Sequence, residues 1–200
     1  MTLIARSKAR IETREKIIKD CAALMAEQGY CNVSVPEIEK ATGKTKAVLY
    51  GYFNNRYDIT MAVLDHNLQQ SKKAIDELVS GCTDNRSKLN AHIQFHHPKT
   101  EYTLVGNGCP LFSLAIEAGA VHEEMRKKVA KALLLWKQEL AEIIQTGINN
   151  QEFREDLSAE DIAWQLISLI ESASIISKTT QSLKPGVKLL NQAKNLVANL

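Results

Sequence analysis

The chain is poor in the residues that staple, span or catalyse. Its four cysteines, Cys21, Cys31, Cys82 and Cys109, stand far apart with no C-x-x-C pair, so neither a disulfide framework nor a zinc knuckle is indicated. No apolar run approaches the roughly 20 residues of a membrane-spanning helix. The opening MTLIARSKARIETREKII also lacks the apolar core of a secretion signal. These absences predict a cytoplasmic protein with no membrane partner, in which the glycosylation-like NVS at 32–34 is a chance match. Period-two alternation is almost missing, and there is no internal repeat or low-complexity tract, which leaves helices as the building material.

Enzyme signatures are missing as well. None of His66, His92, His96, His97 and His122 has a Glu three residues before it, as a carboxylate-bridged metal pair in a helical bundle requires. Neither a nucleophile elbow nor a metalloprotease helix motif occurs. His96 and His97 beside Pro98 could join Cys109 around a metal, but adjacent loop histidines are far more often solvated. The sequence therefore points away from an enzyme and calls for no cofactor and no metal.

The stretch ATGKTKAVLYGYF, residues 41–53, contains a Gly-Lys-Thr that ends many phosphate-binding loops. Such a loop needs a glycine five residues earlier and a strand before it. Here the position is Ile38, and the preceding SVPEIEKAT has capping-box spacing, Ser34 to Glu37, with Pro36 in the first turn of a helix. Gly43 thus follows a helix, where it suits a C-cap or a tight interhelical turn.

Helical spacing recurs along the whole chain. Ile17, Cys21, Leu24 and Met25 make TREKIIKDCAALMAEQG an amphipathic helix closed by Gly29. Thr45 suits the N-cap of a short helix, KAVLYGYF, and Asn55 with Asp58 opens a long one, RYDITMAVLDHNLQQSKKAIDELV. Further helices are expected over NRSKLNAHIQF, over PLFSLAIEAG, from about 122 to 150, from Ser158 through AEDIAWQLISLIESASIISK, and from Pro185 to the end. The predicted fold is all-α with about nine helices. Residues 1–57 hold ten Lys and Arg against six Asp and Glu, and the remainder fifteen against seventeen, so positive charge gathers at the amino end. This suggests a DNA-facing domain over 1–57 and a larger domain over 58–200.

Two short helices joined by a glycine turn beneath a longer one describe a helix-turn-helix, whose second helix fits the major groove. Leu49 and Phe53, four apart, would face inward, leaving Lys46, Ala47, Val48, Tyr50 and Tyr52 toward the duplex or its rim. Lys46 and the tyrosine hydroxyls suit phosphates, and small Ala47 allows close approach to base edges. For Tyr52 a place in the core is an equal alternative. The basic ARSKAR, with Arg6, Lys8 and Arg10, reads as a solvated tail or a minor-groove arm.

Residues 13 to about 64 resemble the DNA-binding domain of the TetR family of bacterial transcriptional regulators. The matching features are Thr13-Arg14, Gly29-Tyr30 and GKTKAVLYGYFNNRYDI, against a family pattern G-x-S-K-x-x-L-Y-x-Y-F-x-x-K-x-x-L, with Thr45 for Ser, Arg56 for Lys and Ile59 for Leu. Lys44, Val48 and Gly51 depart from the pattern. The resemblance implies a regulator that binds double-stranded DNA at a palindromic operator through Thr45, Lys46, Ala47, Val48, Tyr50, Gly51, Tyr52 and Arg56. It also implies a larger helical domain for a small-molecule inducer and for homodimerisation through the last two long helices. A helical adaptor that does not bind DNA is the remaining non-enzymatic alternative.

The helix from 158 has two apolar sides, Ile162, Leu166, Leu169, Ala173 and Ile176 on one and Ala163, Ile167, Ile170 and Ser174 on another, as a helix with two partners needs. A charge at Ala173 or Ile176 is accordingly expected to split the dimer. An apolar inducer is expected among Phe95, Phe112, Ile116, Trp136, Leu140, Trp164 and Ile167, with His92 or Ser168 as polar contact, although a packed core would use the same residues. GCPLFSLAIEAG resembles a carboxyl-terminal type of this family in which a Gly-Cys step begins the sixth helix. Cys109 in that step, between GNG and Pro110, is an alternative switch for oxidants or electrophiles.

Overall fold

The computed structural model describes residues 3–97, 117 and 122–200. Among them are eight helices and no strand: α1 (Leu3–Gln28), α2 (Val35–Thr42), α3 (Lys46–Leu49), α4 (Arg56–Ser80), α5 (Asn85–Phe95), α6 (Glu123–Asn149), α7 (Ala159–Thr180) and α8 (Leu183–Ala198). Apart from Glu117, the helix expected over PLFSLAIEAG lies outside the described residues.

Local chemistry sets most boundaries. The Ser34 amide and hydroxyl both donate to Glu37 Oε2, at 2.7 and 2.5 Å, at the start of α2. Asn55 accepts the Asp58 amide at 2.9 Å for α4, and Ser158 accepts the Asp161 amide at 3.3 Å for α7. Asp84 does the same for Ser87 at 2.6 Å and opens α5. Gly43 ends α2 at φ 63°, in the left-handed region where a side chain would be strained.

The first helix differs from expectation. It begins at Leu3 and not at Thr13, so ARSKAR is helical and not an arm. Ala5, Arg6, Lys8, Ala9 and Arg10 are all strong helix formers with no glycine or proline among them. Periodicity missed them because residues 7–12 are exposed and carry no buried stripe.

Further along α1, Ile17, Cys21 and Met25 are buried with Ile38, Leu49, Phe53, Ile59, Val63 and Leu64. Each such aliphatic side chain contributes about 1.5–3 kcal/mol by leaving water. The same cluster continues through Leu89 and Ile93 of α5 into Leu140, Leu166, Ile170, Leu190 and Val197. Helix α4 packs on both α1 and α5, so a division at 57/58 falls in its first turn. It is also tied to α6 by Asp65, whose carboxylate receives Lys128 Nζ at 2.5 Å, and by Lys72, which meets Glu139 at 3.2 Å. Helices α7 and α8 form an antiparallel hairpin, with α7 against α6 and α8 against α5.

Candidate nucleic-acid interface

The turn between α2 and α3 is fixed from within. Thr42 donates its hydroxyl to the Ile38 carbonyl at 2.7 Å and accepts the Lys44 amide at 3.2 Å. Thr45 holds the N-cap position of α3 in an extended conformation, but the carboxylate that takes an α3 amide belongs to Glu39, which accepts from Lys46 N at 2.5 Å. Helical bonds continue past Leu49, from Tyr50 N to Lys46 O at 3.0 Å and from Phe53 N to Leu49 O at 3.1 Å. The recognition segment therefore extends to Phe53 although regular helix stops at Leu49.

Its two sides are sharply different. Leu49 and Phe53 are buried, whereas Thr45, Lys46, Ala47, Val48, Tyr50 and Gly51 are exposed. Lys46 Nζ lies 5.8 Å from the Tyr50 ring centre, leaving ammonium and phenol side by side. Such a row can offer cation, hydroxyl and small apolar groups to a groove. Tyr52 is half-buried and combines the two alternatives read for it, packed on the core beneath and covered by the Arg10 guanidinium at 5.3 Å.

Arg56 is placed differently from the row it was grouped with. Its Nη1 donates to the carbonyls of Val33 and Tyr30, at 2.9 and 3.3 Å, so it secures the link between α1 and α2. Three partners act through contacts that sequence pattern does not show, one across the interhelical turn and two across long separations. Besides Glu39, they are Arg10, which donates to the Gly51 carbonyl at 2.7 Å, and Glu117, which accepts the Cys31 amide at 2.7 Å. Gly29 itself has φ 96°, where a side chain would be strained, and Glu117 Oε1 comes within 2.7 Å of where its Cβ would stand. Burial, then the Glu117 charge, raises the Cys31 thiol pKa above its usual value, while Arg56 pulls it down.

In the larger domain, Trp136 Nε1 donates to His92 Nδ1 at 3.4 Å, and His96 stacks on Trp136 at 5.5 Å. Burial lowers the His92 pKa to about 4, with Lys72 adding to the effect, and lowers that of His96 to about 3, with His92 adding to it. Both are neutral at pH 7. Because His92 Nδ1 accepts a bond, its proton sits on Nε2, which is buried and has no partner among the described residues. Leu140 and Ile167 are buried in the main cluster, but Phe95 packs with Ala74 and Ile75 in a separate one. Trp164, 37 % exposed, and Ser168 lie on the open side of α7, so they do not line a common cavity with His92. Phe112, Ile116 and Cys109 lie outside the described residues.

Two family models match. One, "Bacterial regulatory proteins, tetR family", covers residues 17–63, and the other, "Tetracyclin repressor-like, C-terminal domain", covers 86–192. The chain belongs to the TetR family of DNA-binding transcriptional regulators. This TetR-family protein is 25 % identical to the HTH-type regulator YxaF of Bacillus subtilis (strain 168) over 94 % of its own length and 97 % of the relative's. A TetR-family regulator from Cytophaga hutchinsonii shares its structure with a TM-score of 0.89 at 29 % identity, each chain covered over 96 %. The reduced form of Escherichia coli NemR shares the fold at a TM-score of 0.79, with 22 % identity over 94 % of this chain and 98 % of that one. TetR regulators form homodimers, and the side of α7 bearing Trp164, Ser168 and Ile176 is open in the single chain. Ala173 is not on that side: it is fully buried, and its carbonyl lies against Gly186 of α8. A charge there tests folding within the protomer. Spacing alone could not tell which of α7's two apolar sides faces its own chain. Among the described residues, no group of His, Cys, Asp and Glu is arranged to hold a metal, and no helix is long and apolar enough to cross a membrane.

Proposed function

We propose that this protein is a cytoplasmic repressor, dimeric through α7 and α8, that holds an approximately palindromic operator and releases it when a small apolar molecule enters the larger domain. The observation that carries the DNA part is the exposed row Lys46, Ala47, Val48 and Tyr50 over a base of fully buried Leu49. Lys46 and Tyr50 hold phosphates, Ala47 and Val48 read base edges, and Arg56 serves by positioning. The buried Nε2–H of His92, without a partner among the described residues, supports a ligand that has one hydrogen-bond acceptor on an otherwise apolar body. In the alternative, Cys109 replaces the ligand as the switch.

The test is a footprint on the promoter next to the protein's own gene. Two protected blocks centred about 34–36 Å apart, or a multiple of that, are expected from paired recognition helices. Lys46→Ala should weaken binding to all sequences and lower the salt slope by about one unit per bound protomer, whereas Val48→Ala should change sequence preference. A folded Lys46→Ala, Tyr50→Phe double variant with unaltered DNA affinity would defeat the assignment. Release by peroxide in the wild type but not in Cys109→Ser would replace the noncovalent ligand by the thiol.

A further inference from the structure

Helix α1 starts at Leu3, well before the family match begins at residue 17. The extra turns bring Arg6, Lys8 and Arg10 with no acidic residue until Glu12. They are seated against the recognition segment at two points one helical turn apart. Arg10 Nη2 donates to the Gly51 carbonyl at 2.7 Å while its guanidinium lies 5.3 Å from the Tyr52 ring centre, and Arg14 lies 4.8 Å from the Phe53 ring centre.

Arg10 remains exposed in this arrangement. A guanidinium carries five N–H donors in a planar fork, and the Gly51 carbonyl engages one nitrogen of it. The remaining donors are held on an exposed side chain anchored beside Gly51, which is itself exposed and follows Tyr50 in the recognition segment. Among the described residues no acidic side chain is paired with Arg10, whereas Lys8 approaches Glu12 at 4.0 Å. A fixed, unneutralised guanidinium continuous with a groove-facing helix fits a polyanion whose charges repeat along its edge, and a phosphate presents the oxygens that the fork matches.

We propose that the amino-terminal turns of α1 form a second wall of the DNA interface, in which Arg10 grips a backbone phosphate while its bond to Gly51 sets the pitch of the recognition segment. The contact adds affinity without reading sequence. The proposal rests on the DNA-binding reading given above and extends it to a part of the chain outside the helix-turn-helix.

Binding of a 30-base-pair duplex of arbitrary sequence is measured against salt for wild type, Arg10→Ala, Arg10→Gln and Arg10→Lys, with each fold checked by thermal melting. Both neutral variants should lose about one unit of the log–log salt slope per bound protomer, and Arg10→Lys should keep the wild-type slope. Should Arg10→Ala melt early, Arg10→Gln carries the comparison. Weaker binding at an unchanged slope would make Arg10 a brace only and overturn the proposal, as would unchanged binding. A wild type without salt-dependent duplex binding would instead overturn the DNA-binding reading itself.

Discussion

Glu117 is the only described residue of the segment between His97 and His122, and its carboxylate is fastened to the DNA-binding end of the molecule. Replacing it with alanine removes a charged acceptor from the Cys31 amide. Such a bond contributes about 1.5–3 kcal/mol when shielded, and the half-buried position reduces this to about 1–2 kcal/mol. In a chain of this size each kcal/mol corresponds to roughly 2–4 °C in the melting midpoint, so calorimetry should register a fall of about 2–8 °C. A second readout isolates the charge. Glu117→Gln keeps the size of the side chain but removes the anion that helps raise the Cys31 pKa, so Cys31 should form thiolate more readily and be alkylated faster at pH 8. Arg56→Gln should slow the same reaction, because Arg56 acts on the thiol in the opposite sense. A midpoint unmoved by Glu117→Ala, together with unaltered Cys31 alkylation in Glu117→Gln, would refute the claim that this carboxylate grips the turn after α1.

The buried histidines make stability depend on acidity. Their folded pKa values, about 4 for His92 and about 3 for His96, lie below the ordinary value of 6.5. The unfolded chain therefore takes up protons that the folded one refuses, and folding free energy is lost as pH falls from about 6.5 toward 4, by up to about 1.4 kcal/mol per pH unit for each histidine. Urea denaturation at pH 7 and pH 5 checks this, and equal stability at both would contradict it. At the dimer face proposed on the open side of α7, Trp164→Glu or Ile176→Glu should give folded monomers in analytical ultracentrifugation with specific DNA binding lost. Ala173→Asp, by contrast, should cost folding itself, and a soluble, folded Ala173→Asp monomer would show that the two sides of α7 are wrongly assigned.

The elements whose signals are local were legible. Ser34, Asn55 and Ser158 mark helix starts because a cap works through residues three apart, and Leu49 and Phe53 face inward because a helix returns to the same side after four. What stayed hidden depends on contacts between different elements of the chain. Arg10 with Gly51, Glu39 with the Lys46 amide, and Arg56 with the carbonyls of Tyr30 and Val33 are all fixed by tertiary approach. Sequence pattern could suggest that Arg56 was basic and near DNA, but not that its fork would turn back onto backbone oxygens. The two apolar sides of α7 were likewise visible, whereas their division between the chain's own core and an open face was not.

Helix α4 belongs to both halves of the molecule, and this determines where the protein can be cut and rejoined. A chimaera made at 57/58 would leave Ile59, Val63 and Leu64 behind, stripping the lid from the core around Leu49 and Phe53 and burdening the other half with unmatched apolar side chains. Moving the crossover past Asn67, whose amide donates to the Tyr30 hydroxyl at 2.7 Å, transfers the lid and its last tie together. A transplant of residues 3–67 is therefore expected to keep its own core closed, giving up only the Glu117 contact to the Cys31 amide, and it carries its own share of the helix that connects it to the rest.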